Sequence, residues 1–158
     1  MACRRLRLRP AIVAAVVFGF FGLALAPAAL ASDVGQIKVS KGTVHIERGG
    51  QKVPGQVGTR VRQSDVVVTG ADGSAGIAFM DDSLLSVGPN SVLAIDRFEF
   101  DSTTHRGAFD SSLRKGTLAA VSGKLAKQTP DAMKVKTPAA LLGVRGTEFV
   151  VRTSESAD

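Results

Sequence analysis

Two histidines carry the side chains best suited to chemistry in this sequence. His45 and Glu47 are two positions apart in a run that alternates like a strand, so both lie on one face and could together bind a metal. A zinc site needs at least a third protein ligand, and no residue stands at a spacing that predicts one. We therefore interpret the pair as part of the solvated polar face of an amphipathic strand. His105 falls in the polar stretch 101–107 between apolar runs, which predicts a hairpin tip rather than a catalytic base.

The aspartate pair at Asp81-Asp82, followed by Ser83, is the other candidate. It lacks the spaced oxygen ligands of a calcium loop, so we expect a tight turn in which these side chains bond their own backbone. No nucleophile elbow, zinc-protease motif or phosphate loop occurs in the sequence. We predict that the protein is not an enzyme and has no catalytic, cofactor-binding or metal-binding residues.

The densest local feature is the segment from Lys136 to Phe149, which places a proline, two glycines and one arginine between two strand-like runs. Glycine permits backbone conformations denied to other residues. Arg145 would need a partner if buried, and its planar guanidinium favours a carboxylate or carbonyls at a strand end. We predict a structural corner with Arg145 as a largely buried pin; a binding role is the alternative. The motif comprises Thr137, Pro138, Gly143, Arg145, Gly146, Thr147 and Phe149.

The elements that position these residues are short runs rich in Val, Ile, Phe and Thr, and glycines separate the runs. Alternation is clear at 44–47, 133–136 and 148–152. Gly49-Gly50 and Asp72-Gly73 are hairpin-type turn signals. The predicted strands are Val34–Val39, Thr43–Glu47, Asp65–Thr69, Ser74–Met80, Leu84–Val87, Ser91–Ile95, Arg97–Phe100, Thr117–Val121, Met133–Lys136 and Thr147–Arg152.

These runs predict an all-β fold of about ten short strands. A compact sandwich, a roll and a short β-solenoid all fit the spacing, and the pattern does not choose among them. The stretch Lys124–Asp131 is the least strand-like and is interpreted as a loop or a single turn.

The N-terminus has the order of a secretory signal peptide. Four arginines precede the apolar run Ala11–Ala26, and Ala29-Leu30-Ala31 follows it, which predicts cleavage before Ser32. The run is shorter than the roughly 20 residues that a spanning helix needs, so we expect no stable membrane span after cleavage; an uncleaved anchor is the alternative. The predicted organisation is a signal peptide at 1–31 and one domain at 32–158.

Without the predicted signal peptide, the net charge is smaller and no cysteine remains. The chain has 20 Lys and Arg against 14 Asp and Glu, and four of the arginines lie in the first 31 residues, which leaves 16 against 14. No clustered basic stripe remains, so we expect no nucleic-acid partner. Residues 32–158 contain no cysteine, so the predicted domain is held by packing and hydrogen bonds rather than by disulfides.

The sequence contains, in this order, the motifs Gly35-Gln36-Ile37, Gly42-Thr43-Val44, Asp65–Gly70, Ala71–Ala75, Phe79–Ser91, Lys115–Leu118, Lys136–Ala139 and Gly143–Phe149. Taken together they resemble the FecR domain, an extracytoplasmic module named after the ferric citrate sensor of Gram-negative bacteria, and the last motif is the most specific. Two positions depart from the family pattern: Ser64 and Asp82 each stand where the family often has a glycine.

The resemblance implies an all-β, non-enzymatic sensory or interaction module, periplasmic or secreted, with an envelope protein as its partner. In the sensors of this family, a cytoplasmic segment controls a sigma factor. Only ten residues precede the apolar run here, so we expect no sigma-regulating segment. The sequence stops at Asp158, and we expect it to lack the additional C-terminal portion of transporter-contacting sensors. A module that binds cell-wall glycan or another extracellular polymer is the alternative function.

Overall fold

A computed structural model describes residues 32–129, 131–145 and 148–154; the predicted signal peptide lies outside the described residues. Within them the chain forms twelve strands and one short helix, which confirms the all-β prediction. The elements are β1 (Asp33–Lys41), β2 (Val44–Arg48), β3 (Gln51–Pro54), β4 (Arg60–Arg62), β5 (Val66–Thr69), β6 (Ser74–Phe79), β7 (Leu84–Val87), β8 (Val92–Phe100), β9 (Gly107–Val121), α1 (Lys124–Gln128), β10 (Met133–Lys136), β11 (Leu141–Val144) and β12 (Glu148–Thr153).

Strand β9 organises the sheet because it takes part in two sets of pairings. Its first part pairs with β8 on one side and β10 on the other, which gives a first half-sheet in the order β3-β2-β5-β8-β9-β10-β11. Its last part pairs with β7 and β12, which gives a second half-sheet in the order β12-β9-β7-β6-β1-β4. The second part begins at Gly116, whose φ of 94° is in the left-handed region that favours glycine.

The two half-sheets face each other across one core. The ring of Phe79 on β6 lies 4.6 Å from that of Phe109 on β9 and 5.5 Å from that of Phe98 on β8, measured between centroids. Every pairing is antiparallel except that of β9 with β10. A β-solenoid stacks its strands in parallel. The described residues therefore form a roll, a single sheet curled around its core, and not a solenoid.

Several predicted strands differ in extent from those observed. The runs Ser91–Ile95 and Arg97–Phe100 form the single strand β8, in which the pairing register shifts between Ile95 and Arg97. Strand β9 begins at Gly107, ten residues before the predicted start at Thr117. Strands β3, β4 and β11 were not predicted. They are short strands at sheet edges, with one neighbour each among the described strands, and β3 and β4 each contain two polar residues.

The two predicted hairpin turns have different outcomes. Gly49-Gly50 joins β2 to β3 in a two-residue hairpin, as predicted, and both glycines have positive φ. Asp72-Gly73 makes a turn but not a hairpin, because β5 pairs with β2 and β8 whereas β6 pairs with β1 and β7. This turn carries the chain from the first half-sheet to the second.

The segment predicted as a loop or a single turn contains α1, a helix of five residues. Leu125 and Ala126 on this turn are buried in the core. The helix connects β9 to β10, the only parallel pair among the described strands. Among the described residues, no helix has both the length and the apolar character needed to span a membrane.

Candidate functional site

The predicted motif spans a hairpin and the strand that follows it. Thr137 and Pro138 lie in the turn between β10 and β11, where the Thr137 hydroxyl accepts a hydrogen bond from Ala140 N at 3.0 Å. Gly143 lies on β11, and Phe149 on β12 packs against the core. Gly146 and Thr147 lie outside the described residues.

Arg145 follows β11 and contradicts the prediction of a buried pin, because 72% of its side chain is exposed. Its predicted carboxylate partner exists: Nε and Nη2 donate to the two oxygens of Asp131 at 3.3 and 3.1 Å. This pairing lowers the pKa of Asp131 from its ordinary value. An exposed pair of this kind contributes little to stability, because solvent screens the attraction. A Cβ at Gly143 would lie 3.0 Å from Asp131 Oδ1, so the glycine leaves room for the pair.

The pin of this fold is instead the pair of Arg48, whose side chain is 29% exposed, with the buried Asp65, and the local sequence pattern does not predict this pair. Asp65 is 1% exposed and accepts from Arg48 Nε at 2.8 Å and Nη2 at 2.7 Å. Its carboxylate also accepts from Arg62 N at 2.8 Å. The hydrogen bond to Asp65 raises the pKa of Arg48, although burial opposes the shift. Arg48 Nη2 donates to Arg60 O at 2.8 Å as well, so the pair joins β2 to β4, the edge of the other half-sheet.

The turn at Asp81–Ser83 forms the second buried polar cluster, as predicted for a turn whose side chains bond their own backbone. Asp81 Oδ1 accepts from Ser83 N at 3.0 Å, and Oδ2 accepts from the Ser83 hydroxyl at 2.6 Å. The same hydroxyl accepts from Gly123 N at 2.9 Å. A Cβ at Gly123 would collide with Asp81 O. The cluster thus fastens the β6–β7 turn to the segment that leads into α1.

The two histidines lie in different surroundings. His105 lies in the β8–β9 hairpin loop, as predicted, and its ring is nearly parallel to that of Phe100, with 6.1 Å between centroids. His45 and Glu47 share a face, with His45 Nε2 3.7 Å from Glu47 Oε1. The solvated-face interpretation holds for Glu47 but is wrong for His45, whose Nε2 is buried without a hydrogen-bond partner in the described structure. Within the described residues, no three His, Cys, Asp or Glu side chains are grouped so as to hold a metal ion.

The outer face of the second half-sheet carries exposed apolar side chains in two adjacent cross-strand rows. In one row, Val121 on β9 lies opposite Leu84 on β7, and Leu84 lies opposite Ala78 on β6. In the next row, Ala119 lies between Val150 and Ser86, and Gly76 lies between Ser86 and Val39. We call this surface the outer patch; it comprises Val39, Ala78, Leu84, Ala119, Val121 and Val150.

The exposure of the outer patch is high for residues of this type. Leu84 and Val39 are each 49% exposed, and Val121 is 42% exposed. Polar residues border the patch: Gln36 and Arg60 extend the first row across β1 and β4, and Glu148 ends it on β12. An apolar centre with a polar rim is the usual composition of a protein–protein interface.

The comparison with protein families shows the family of this chain. The family model described as FecR protein matches residues 65–157, more than half of the chain. The chain belongs to the FecR family. FecR domains are sensory or regulatory modules, form the periplasmic parts of membrane sensors and interact with other envelope proteins. No curated protein and no solved structure matches the chain.

The FecR assignment gives a structural meaning to the two departures from the family pattern. Ser64 has a φ of 69° and Asp82 a φ of 65°, both in the left-handed region. Glycine adopts this region without the steric cost that a Cβ imposes. The positions at which the FecR pattern favours glycine are therefore positions at which this backbone requires a positive φ.

The FecR match begins at Asp65, whereas the first strand of the sheet, β1, begins at Asp33. Strands β1 to β4 precede the match, and within the sheet β1 pairs with β6 and β2 pairs with β5. Asp65 itself is held by Arg48, which lies before the match. Residues 33–62 thus belong to the same sheet as the matched residues.

Proposed function

We propose that this FecR-family chain is an exported, non-enzymatic module, periplasmic or secreted, that binds another envelope protein through its outer patch. The single observation that supports it is the gathering of Val39, Leu84, Val121 and Val150 on one sheet face. These are four of the seven large hydrophobic residues exposed in the described structure. A contiguous exposed apolar surface rimmed by polar residues is typical of a protein-binding site.

The buried polar groups support a role without chemistry, because their partners are structural. The Asp65 carboxylate is bonded to Arg48 and to a backbone N–H, and Asp81 is bonded to Ser83. The Thr69 hydroxyl donates to Gly88 O at 2.6 Å and accepts from Ser91 N at 2.9 Å. A catalytic site would aim such groups at a cavity and pair a nucleophile with a base.

The glycan-binding alternative would need exposed aromatic rings on which sugars stack. Phe79, Phe98 and Phe109 are buried together in the core. Phe100 is stacked on His105, and Phe149 is packed against the core. One candidate surface for a polymer is an open depression whose lining includes Asn90, Lys115, Thr117 and Arg152. The aromatic side chains of the described residues thus favour a protein partner.

The test is co-purification from a cross-linked envelope fraction with a variant that places a pair of opposite charges in the outer patch, Leu84→Lys with Val121→Glu, at two positions that face each other across β7 and β9. We expect this variant to keep its denaturation midpoint, because surface substitutions change stability by about 0.5 kcal/mol or less, and to lose the partner. The matched control is Val57→Lys, an exposed valine in the β3–β4 loop outside the patch.

The control variant should co-purify with the same partner as the unaltered chain. Sedimentation with purified peptidoglycan provides the opposing measurement. The polymer-binding alternative makes two different predictions. The unaltered chain would bind peptidoglycan and Lys115→Glu would not, and the patch and control variants would both keep the protein partner.

A further inference from the structure

The described sheet has four edges, and three of them are poorly suited to pairing. Strand β3 contains Lys52 and ends at Pro54, and β4 is three residues long with Arg60 and Arg62. Strand β11 has four residues and includes Gly143. Charged side chains, proline and short length are the features that keep natural sheet edges from pairing with other chains.

Strand β12 is the exception. It has six residues, Glu148–Thr153, without glycine, proline or lysine, and its one partner among the described strands is β9. Val150 in its centre is 66% exposed. An edge of this length leaves a row of backbone N–H and C=O groups available for another strand.

The order of the side chains along β12 indicates which strand would pair with this edge. In an antiparallel pair centred on Val150, Glu148 of one copy lies opposite Arg152 of the other, and the reverse pair forms on the far side. Val150 then lies opposite itself. Phe149 and Val151 are opposed on the inner face. Opposite charges and apolar pairs directly across from each other stabilise a sheet, so the strand is complementary to itself.

We propose that β12 pairs with β12 of a second copy of this chain, antiparallel and about a two-fold axis at Val150. The pairing uses the strand edge, and it does not rest on the proposed function. It joins the two second half-sheets into one continuous sheet whose outer patches face the same side. Phe149 and Val151, each packed against the core but only partly buried, gain cover from the same residues of the second copy.

Within one copy, the contacts of the two charged side chains of β12 are weak enough to be exchanged for the ion pairs of the two-fold arrangement. Arg152 Nε donates to the Thr117 hydroxyl at 3.3 Å, a long and exposed hydrogen bond. Glu148 lies opposite the apolar Val121 on β9. In the two-fold arrangement both charged groups obtain an opposite charge across the new pair of strands.

Sedimentation of the chain, produced from its full sequence, exported and purified, tests the proposal. A concentration series should show a monomer–dimer equilibrium. Glu148→Arg and Arg152→Glu each place like charges opposite one another twice, and each should weaken the dimer by about tenfold or more. The double variant restores opposite charges and should return the dissociation constant to within about threefold of the unaltered chain, since both cross-strand pairs are rebuilt.

A cysteine scan fixes the register in a Cys3→Ser background. Val150→Cys should form a disulfide-linked dimer under mild oxidation, because directly opposed residues have Cα atoms about 4.5–5.5 Å apart, within the range of a disulfide. Val39→Cys, an exposed valine on the same face away from the edge, is the matched control and should form no disulfide-linked dimer.

A chain that stays monomeric throughout a series reaching about 1 mM overturns the proposal. So does a double charge variant that dimerises no better than the single variants. Loss of the envelope partner by the outer-patch variants is a separate readout, and it can succeed or fail whichever way the dimer behaves.

Discussion

Arg48 and Asp65 form a two-pronged ion pair in which Nε–Oδ1 is 2.8 Å and Nη2–Oδ2 is 2.7 Å. Asp65 precedes β5 and Arg48 ends β2, and the guanidinium also reaches the carbonyl oxygen of Arg60 on β4. The pair therefore connects the two half-sheets where their ends approach each other. Arg145 has the same type of partner but lies in solvent, so the two arginines provide a comparison of one interaction in two environments.

Arg48→Ala should lower the free energy of unfolding by about 3 kcal/mol, because it leaves the Asp65 carboxylate buried without its counter-charge. Arg48→Lys should recover only part of this loss, since an ammonium does not reproduce the two-pronged geometry. Arg145→Ala is the matched control and should leave the free energy of unfolding nearly unchanged, because solvent screens its ion pair. Denaturant titration measures all three, and equal losses for Arg48→Ala and Arg145→Ala would contradict the assignment of the pin.

Ser64→Gly should stabilise the protein by about 0.5–1 kcal/mol. The left-handed backbone costs a non-glycine residue about 1–2 kcal/mol, of which the greater entropy of unfolded glycine cancels a part. Ser102→Gly, at an exposed turn serine that is not among the residues with positive φ, should instead be neutral or destabilising. The melting temperatures of the two variants test this prediction. A lower melting temperature for Ser64→Gly would contradict the explanation that the family has glycine here because the backbone needs a positive φ.

Two buried serines should respond oppositely to alanine. The Ser83 hydroxyl donates to Asp81 and accepts from Gly123 N, so Ser83→Ala should cost about 1–3 kcal/mol by leaving buried groups unpaired. The Ser111 hydroxyl is buried without a partner in the described structure, so Ser111→Ala should be neutral or stabilising. Midpoints of urea unfolding that fall equally for both variants would count against the hydrogen-bond assignment at Ser83.

Local patterns predicted the strands whose alternation is regular and missed those whose pattern is interrupted. Met133 and Val135 point inward and Lys134 and Lys136 outward, as the sequence suggested. The first part of β9 was missed because Ser111 occupies a core position between Phe109 and Leu113 and breaks the apolar period.

The candidate site was harder to predict, because burial and pairing depend on residues distant in sequence. The segment around Arg145 contains nothing that reveals whether its guanidinium lies in solvent. The pin at Arg48 and Asp65 joins residues 17 apart, and the outer patch combines side chains from five strands. A signal for the pin was present in the aspartate that directly precedes the apolar run at 66–68, a polar residue at the start of a buried strand.

Export is predicted by the N-terminal arginines, the apolar run and Ala29-Leu30-Ala31. Mass spectrometry of the protein isolated from envelope fractions should find Ser32 as the N-terminal residue. Recovery of chains that begin at Met1 or Ala2 from membrane pellets would support the uncleaved anchor instead.

Site-specific photo-cross-linking in intact cells tests the central claim, that the outer patch binds an envelope protein. A photoreactive residue replaces Val121 in the patch, and a matched probe replaces Val57 outside it. We predict a discrete adduct with one envelope protein from the probe at Val121 and no such adduct from the probe at Val57. Identical adduct patterns from both positions, or an adduct at Val121 with a second copy of this chain alone, would contradict the account.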